Sequence, residues 1–280
     1  MLPRVHDAFH ARGITATYET AAAGDEEKLA TQAIQSGLRT IVAVGGDGTC
    51  SRVADAILRS GVPCRLGVVP SGTGNDFAKT LGVDEYTPEQ VAELVARPGS
   101  SLIDVGLADG RYFLNSCGFG FDASVLDASH RVGFLKGNAV YVYSAVRQLF
   151  SYRGMEVSTN GIVGATHGKM LMVTVSNGRY LGGVFRIAPN ASVVDGRLDA
   201  CFFGDSNVIE RIKLFVGAMR GTHLEMASVT SAAVQRLTLN FSNSQSMELD
   251  GELRTSQSRT VELRCVPRAL AVIAAPGALR

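Results

Sequence analysis

The chain has 280 residues, a length that can bury a large core and fits two domains. It carries 27 Lys and Arg against 26 Asp and Glu, and this net charge of +1 excludes a strong field for nucleic acid or a basic membrane anchor. No apolar stretch reaches the roughly 18 residues of a membrane span, and the first residues carry no apolar signal region. The five cysteines are dispersed without a Cys-x-x-Cys spacing. They indicate a reducing compartment, so we expect a cytoplasmic protein without a disulfide framework or a zinc site.

The first hundred residues alternate between helical and strand patterns. Helical spacing of apolar residues predicts helices over residues 5–11, 25–35, 52–59, 76–81 and 88–96. Apolar runs predict strands over residues 14–18, 40–44 and 65–69. This alternation is typical of an α/β domain, doubly wound around a parallel sheet.

After residue 100 the pattern changes to short strands separated by turns. Strand patterns occupy residues 111–115, 169–176, 198–203, 237–241 and 260–265, and the apolar run 269–275 predicts a buried strand. Only two helices are predicted in this part, over residues 139–150 and 207–219. The sequence therefore predicts a second domain that is mainly antiparallel and β-rich.

Two glycine-rich turns directly follow two of the predicted parallel strands. The first reads Gly-Gly-Asp-Gly-Thr at residues 45–49, and the second reads Pro-Ser-Gly-Thr-Gly-Asn-Asp at residues 70–76. Glycines let the backbone approach a bulky anion, and free N–H groups attract phosphate. An aspartate in such a turn repels phosphate unless it acts through a cation such as Mg²⁺. The two turns predict a ligand crevice at the carboxyl edge of the sheet, with a tight structural turn as the open alternative for the first.

Together with three later motifs, these turns resemble the diacylglycerol kinase catalytic family, which includes bacterial diacylglycerol kinases, related lipid kinases and sphingosine kinases. The resemblance covers nearly the whole chain, and the motifs stand in the family's order at residues 45–49, 70–78, 104–122, 182–199 and 248–252. It implies an ATP- and Mg²⁺-dependent lipid kinase that phosphorylates the hydroxyl of diacylglycerol or a related lipid. Two alternatives stay open: a catalytically weak lipid- or nucleotide-binding protein on the same scaffold, and NAD kinase, which shares the first turn.

The resemblance also implies domain limits and partners. A nucleotide-binding domain is expected over residues 1–105, completed by a return of residues 266–280, and a lipid-substrate domain over residues 106–265. Residues 131–137 and the helix after them resemble the family's flap on the lipid-entry side, although a helix packed on the second domain explains the same pattern. We expect ATP and lipid as partners, transient contact with a membrane surface, no nucleic acid, and a homodimer as an open alternative.

The resemblance places ATP at the two turns and at one upstream threonine. The implied nucleotide-contacting residues are Thr20, Gly45, Gly46, Asp47, Gly48, Thr49, Gly72, Thr73, Gly74, Asn75 and Asp76. For the threonine, an ordinary strand-end hydroxyl is an equal alternative. Asn75 and the aspartate after it also suit the N-cap of the following helix.

Three aspartates are expected to form the Mg²⁺-ATP network. Asp47, Asp76 and Asp104 fall near predicted strand ends and are expected to converge on one point. For the last of them, ordinary turn punctuation is the alternative.

Two further Asp-Gly turns are assigned roles by the resemblance. Asp250 and Glu252 flank Gly251 in the family's catalytic turn, where either carboxylate is the candidate base; without the family this is a routine hairpin turn. A structural Mg²⁺ is implied at Asp195 with two backbone carbonyls, and a plain turn is the alternative. The carbonyl ligands belong to Ser192 and Arg197.

The chain departs from the family pattern at two places. The family's opening strand, with its Asn-Pro-x-(Ser/Ala)-Gly turn, has no counterpart here. Arg52 stands where the family carries a glutamate, so a cation replaces an expected carboxylate. This arginine is expected to pair with phosphate, to pair with a nearby aspartate, or to disturb the usual network.

Overall fold

The protein is described here by a computed structural model that covers residues 2–22, 24–130, 138–160 and 167–279. It confirms the predicted class, with helices and parallel strands in the N-terminal part and antiparallel strands in the C-terminal part. Residues 131–137, which the sequence identifies with a flap, lie outside the described residues. None of the described helices is long and apolar enough to cross a membrane.

The N-terminal part packs helices on both faces of a short parallel sheet. The helices and strands are α1 (Leu2–His10), α2 (Asp25–Gln35), β1 (Thr40–Gly45), α3 (Asp47–Ser60), β2 (Arg65–Pro70), α4 (Asp76–Thr80) and α5 (Pro88–Ala96). Strands β1 and β2 are paired in parallel from Thr40 opposite Arg65 to Gly45 opposite Pro70. The two glycine-rich turns therefore lie side by side at the carboxyl ends of these strands.

The C-terminal part is built mostly from antiparallel neighbours. Its elements are β3 (Ser101–Ala108), β4 (Arg111–Phe113), β5 (Ser116–Gly120), α6 (Phe121–His130), α7 (Asn138–Ser151), β6 (Met155–Asn160), β7 (His167–Ser176), β8 (Leu198–Gly204), α8 (Val208–Arg220), a 3₁₀ turn (His223–Glu225), β9 (Val229–Val234), β10 (Arg236–Phe241), β11 (Ser246–Leu249), β12 (Glu252–Thr255) and β13 (Thr260–Val272). Among the described residues, all of these strands belong to one continuous sheet.

Strand β13 joins the two parts. Its first half pairs antiparallel with β10, and β3 pairs antiparallel with both halves. Its end also pairs in parallel with β2, where Ala271 lies opposite Arg65. The register shifts between Val266 and Leu270, and Arg268 within this irregularity has a φ of 51°. The run predicted at residues 269–275 thus returns to the parallel sheet. The predicted domain limits fall inside strands β3 and β13 and coincide with no break between elements. They therefore stay a prediction.

Besides a small apolar cluster that packs α1 and α5 against the parallel sheet, three larger apolar clusters of described residues hold these layers together. One lies between α2, α3 and the parallel strands, where Leu66 and Phe77 are fully buried. A second fills the β-rich part around Phe119 and Leu239. The third joins α6, α7 and α8 and includes Phe203. Helices α7 and α8 therefore pack on the sheet with their inner faces.

The predicted strand over residues 14–18 is wrong. This segment is extended and mostly exposed, and it pairs with no described strand. Strand β1 is at the edge of the sheet, and a cleft of about 440 Å³ separates it from residues 14–20. A strand forms only where its backbone groups find a neighbour, and the described residues place none between these two segments.

The sequence also missed a helix. Residues 121–130 form α6 directly after β5, although only two helices were predicted in the C-terminal part. Its amphipathic signal is weak because Phe121 and Val125 on one side and Ala123 and Leu126 on the other are all buried. A helix buried on several sides lacks the polar face that a periodicity reading needs.

Candidate functional site

The two glycine-rich turns touch through their backbones. The Ser71 N–H donates to the Gly45 carbonyl at 3.0 Å. A Cβ atom added to Gly72 would lie only 2.4 Å from the Gly46 Cα, so a side chain at this position would force the turns apart. Glycine is therefore required here by the contact between the turns.

Asp47 connects both turns to the C-terminal part. It is the first residue of α3, and its Oδ1 accepts the Phe77 N–H at 2.9 Å and a bond from Asn115 Nδ2 at 3.3 Å. Asn75 closes the second turn, since its side chain accepts from and donates to the backbone of Gly72. It takes the predicted N-cap position of α4 with a φ of 53°, although its side chain makes no hydrogen bond to the first turn of that helix.

Asp76 links the second turn to a later glycine pair. Its Oδ1 accepts from Lys79 Nζ at 3.0 Å and its Oδ2 accepts the Gly183 N–H at 2.9 Å. The side chain is buried, and burial followed by the negative charge of Asp47 raises its pKa. The two aspartates therefore favour a shared proton or cation.

Asp250 holds the chain between β4 and β5. Its carboxylate accepts the N–H groups of Leu114 at 2.7 Å, Asn115 at 2.8 Å and Ser116 at 3.2 Å. Burial raises its pKa to about 6, against the opposite effect of these hydrogen bonds. The residue has a φ of 47°, an uncommon conformation that the surrounding bonds stabilise.

Glu252 lies apart from its predicted partner Asp250. Its Oε1 accepts from Arg52 Nε at 2.7 Å, and its Oε2 accepts from Arg254 at 2.6 Å. The Arg52 guanidinium also reaches Glu26 at 3.1 Å, and its hydrogen bond to Glu252 is the main cause that raises its pKa. The arginine thus pairs with two glutamates. The expected alternative of a pair with a nearby aspartate is not formed within the described part of the chain.

A cavity of about 340 Å³ connects the turns with the apolar interior of the C-terminal part. Its polar end carries five carboxyl groups, from Asp47, Asp76, Asp122, Glu248 and Asp250. Its other end is lined by α6, α7, α8 and the strands below them, including Val125, Leu126, Ala145, Leu149, Leu171, Ile187, Phe203, Leu214, Phe215 and Ala218. The cavity is therefore amphipathic along its length.

Sequence reasoning missed two carboxyl groups at the polar end. Asp122 is buried, and burial raises its pKa to about 7. Its Oδ1 accepts the Ala123 N–H at 2.7 Å, whereas its Oδ2 has no hydrogen-bond partner among the described residues. Burial also raises the pKa of Glu248 well above its usual range. Both residues belong to motifs noted in the sequence, but only their burial in the folded chain reveals that their pKa values are raised.

The predicted nucleotide-contacting residues fall into three groups. Those on the amphipathic cavity are Asp47, Gly48, Thr73, Gly74 and Asp76. Thr20 and Thr49 line the cleft beside β1 instead. The remaining residues build the turns without lining either space, namely Gly45, Gly46, Gly72 and Asn75. Because Gly48 lines the cavity and Thr49 lines the cleft, the first turn of α3 borders both spaces.

Asp104 does not line the cavity with Asp47 and Asp76, so its expected part in the Mg²⁺-ATP network stays a prediction. Its buried carboxylate accepts the Gly196 N–H at 2.6 Å and the Arg268 N–H at 2.8 Å, and it does not line the cavity. The residue lies inside β3, which runs antiparallel to β13, so it does not reach the edge that carries the turns. Within the described ranges, no group of three or more His, Cys, Asp or Glu side chains could hold a metal ion.

The turn at Asp195 has the geometry of an ordinary Asp-Gly turn. Asp195 is exposed, and its Oδ1 accepts the Arg197 N–H at 3.0 Å, while Gly196 has a φ of 74°. The Asp104 carboxylate holds this turn from inside. The structural Mg²⁺ that was expected with the carbonyls of Ser192 and Arg197 stays a prediction.

Comparisons with known proteins agree with this architecture. Residues 1–108 match the family described as the diacylglycerol kinase catalytic domain, and residues 115–274 match the YegS C-terminal NAD kinase beta sandwich-like domain. The chain is 30% identical over 239 residues to the "Diacylglycerol kinase" of Bacillus subtilis, across 85% of this chain and 79% of that protein. It is 30% identical over 249 residues to the "Probable lipid kinase YegS-like" of Pseudomonas putida, across 89% and 81%.

The fold matches solved structures as well. A diacylglycerol kinase from Bacillus anthracis superimposes with a TM-score of 0.75 at 20% identity, across 99% of this chain and 91% of that one. The fold and the sequence matches together define a two-part lipid kinase scaffold. The chain belongs to the diacylglycerol kinase family, with a YegS-like C-terminal part.

The contact between the turns predicts opposite effects of two glycine substitutions. Gly72→Ala should lower the free energy of unfolding by about 1–3 kcal/mol, because the new methyl group meets the Gly46 backbone. Gly48→Ala is the matched control: nothing lies within 4 Å of its added Cβ, and alanine in a helix should stabilise by about 0.5–1 kcal/mol. Urea unfolding measures both, and equal effects would contradict the proposed contact.

Asp122 predicts a stability that falls with rising pH. The folded state keeps the Asp122 proton up to about pH 7, whereas the unfolded chain loses it near its ordinary pKa of about 3.9. The folded state binds more protons in this window, so its stability decreases until the pH exceeds the folded pKa. Asp122→Asn should therefore gain roughly 1–4 kcal/mol over wild type at pH 8 and little at about pH 3, below the unfolded pKa. Exposed Asp84→Asn is the control, and a gain independent of pH would contradict this account.

Proposed function

We propose that this protein transfers the γ-phosphoryl group of ATP to the hydroxyl of diacylglycerol or a related lipid, with Mg²⁺ as cofactor. The observation that carries the proposal is the single cavity that runs from the two glycine-rich turns to the apolar side chains of α6, α7 and α8. A phosphate donor and an apolar alcohol need opposite environments at a short distance from each other. This cavity offers both.

The glycine turns suit the phosphate end of the nucleotide. Helix α3 begins at Asp47, after Gly46 as N-cap, and Asp47 and Gly48 of its first turn line the cavity, so the positive end of the helix dipole lies beside it. Gly48 and Gly74 line the cavity and leave room for close approach to the backbone. A nucleotide along the start of α3 would reach Thr49 and Thr20 in the cleft beside β1, which supports their predicted contacts.

The charge of the polar end fits a divalent cation. Five carboxyl groups line it, and the one Lys or Arg on the described lining, Arg211, is already bonded to Asp205 and to the carbonyls of Leu149 and Tyr152. Hard oxygen ligands of this kind are those that Mg²⁺ prefers. Asp47 and Asp76 would hold the ion beside the turns. When bound, Mg²⁺ supplies charge neutralisation for the transferring group.

The acceptor hydroxyl would lie where the cavity changes from polar to apolar. Of the two predicted base candidates, Asp250 lines the cavity and Glu252 does not. The pKa of Asp250 is raised to about 6, close to the range that favours general-base action at neutral pH. In the proposed step, Asp250 accepts the hydroxyl proton as the lipid oxygen bonds to the γ-phosphorus. The bond between the γ-phosphorus and its bridging oxygen breaks, and ADP leaves.

The acyl chains would occupy the apolar end. Phe203, Leu149 and Leu214 are buried there and offer no polar group to a ligand. Because such a substrate resides in a bilayer, we propose that the enzyme is cytoplasmic and contacts a membrane surface transiently during turnover.

One observation favours a protein of the same family with weaker catalysis. Arg52 neutralises Glu252 and stands where the family carries a glutamate, so the network around the catalytic turn differs from the family's. A lipid- or nucleotide-binding protein with little catalysis is therefore the second candidate. Nucleotide binding without transfer to any lipid would favour it. NAD kinase ranks lower, because the relatives reported above are named as diacylglycerol and lipid kinases.

Radiolabelled ATP and a lipid panel test the proposal directly. Wild type should label a lipid and leave NAD unlabelled. Asp47→Asn should lower the rate at least about a hundredfold, because the charge beside the turns is lost. Glu252→Gln is the matched control, since its carboxylate does not line the cavity and should keep the rate within about tenfold. Labelling of NAD and of no lipid would overturn the proposal, as would equal losses in both variants with folding intact.

Narrowing the apolar end should select against long acyl chains. Ala218 is buried on α8 and lines the cavity, so Ala218→Leu fills part of its volume. The kcat/KM for dioleoylglycerol should fall roughly tenfold, while that for dihexanoylglycerol should change by less than about threefold. The short substrate serves as the internal control for folding. Equal losses for both lipids would place the chains elsewhere.

A further inference from the structure

Helix α8 exposes an apolar stripe to solvent. Ile209 is 69% exposed, Ile212 44%, Val216 39% and Met219 41%. Their spacing of three, four and three residues places them on one side of the helix. Four large apolar side chains in one exposed row are more than the scattered apolar residues of an ordinary surface.

Helix α7 repeats this arrangement. Tyr143 is 42% exposed, Val146 43% and Phe150 64%, again at helical spacing. The two helices are neighbours, because Arg211 of α8 donates to the Leu149 carbonyl of α7 at 3.1 Å. The exposed apolar rows of α7 and α8 are called the outer stripes below.

The same two helices line the amphipathic cavity with their inner faces. Ala145 and Leu149 of α7 and Leu214 and Ala218 of α8 are buried and face the cavity. Each helix is therefore apolar on two sides, one turned to the cavity and one to solvent. Helices α7 and α8 thus lie between the cavity and the solvent, and each presents apolar side chains on both faces.

Basic side chains flank the outer stripes. Lys213 follows Ile209 by four residues, Arg147 follows Tyr143 by four residues, and Arg220 ends α8, all of them exposed. The only acidic residue on the two helices is Glu210. An apolar row with a basic flank complements the apolar interior and the anionic headgroups of a bilayer.

We propose that the outer stripes of α7 and α8 dock the protein on an anionic lipid bilayer, next to the wall of the cavity that takes the lipid. This inference rests on the proposed lipid substrate and names the surface through which that substrate is reached. The exposed apolar side chains enter the headgroup boundary, and Lys213, Arg147 and Arg220 contact anionic headgroups. The other occupant for such a face is a second copy of this chain.

Co-sedimentation of the full chain with vesicles tests this surface without reference to catalysis. Wild type should partition onto vesicles of equimolar phosphatidylcholine and phosphatidylglycerol more strongly than onto phosphatidylcholine alone. Ile209→Gln with Ile212→Gln should weaken this partition at least about tenfold, because two apolar side chains no longer enter the bilayer. Lys213→Gln with Arg220→Gln should weaken binding to the anionic vesicles about fivefold per residue and leave the neutral vesicles nearly unchanged.

A control variant removes two exposed apolar side chains elsewhere on the surface. Leu102→Gln with Val194→Gln changes two side chains that are each 42% exposed and lie outside α7 and α8. This variant should bind vesicles like wild type. Activity on lipid in vesicles should fall in the α8 glutamine variant, whereas activity on soluble dihexanoylglycerol should not.

The outcomes separate this inference from the proposed function. Vesicle binding through the stripes without phosphorylation of any lipid would support the docking surface and reject the kinase proposal. Unchanged vesicle binding in the α8 glutamine variant, or no binding by wild type, would overturn the docking surface. A dimer in sedimentation velocity that the same variant dissociates would also overturn it, in favour of a second copy.

Discussion

The contact between Gly46 and Gly72 is the constraint on which the site depends. A side chain on Gly72 would separate the turns and one on Gly46 would crowd them, and their contact places the starts of α3 and α4 beside each other. The bond from the Phe77 N–H to Asp47 then fixes the two turns as one unit. Because backbone, and not side chains, forms this contact, residues of both turns line one cavity, among them Gly48 and Gly74.

The second requirement is that the apolar cavity opens at these turns. The carboxylate of Asp250 accepts three N–H groups ahead of and at the start of β5, and Asn115 within that segment donates to Asp47. A buried carboxylate is costly unless such donors surround it, so this cluster is also a point where the two parts of the chain are held in register. Strand β13 provides the other connection, through its pairing with β2, β3 and β10.

Much of the fold could be predicted from the sequence because local patterns and tertiary structure agree. Helix α2 coincides with its predicted bounds, and α5 and α8 lie within a residue of them, because their apolar faces and caps are encoded locally. Residues 14–18 have a strand pattern but form none, since pairing depends on a neighbour that is distant in sequence. Helix α6 was missed because it is buried on several sides.

The site, like the fold, divides into features that the sequence predicts and features that it does not. The glycine turns could be predicted because glycine and aspartate have local meaning at strand ends. Three features could not be predicted: the inward position of Asp104, the pairing of Arg52 with Glu252, and the raised pKa values of Asp122 and Glu248. Burial and charge partners arise only in the folded chain.

A crystal structure with a non-hydrolysable ATP analogue, Mg²⁺ and dihexanoylglycerol tests the central claim most directly. The account predicts terminal phosphates beside the N–H groups of Gly48 and Gly74, the glycerol hydroxyl near Asp250, and acyl chains between α6 and α8. Phosphates bound away from both turns, or acyl chains outside the cavity, would contradict it.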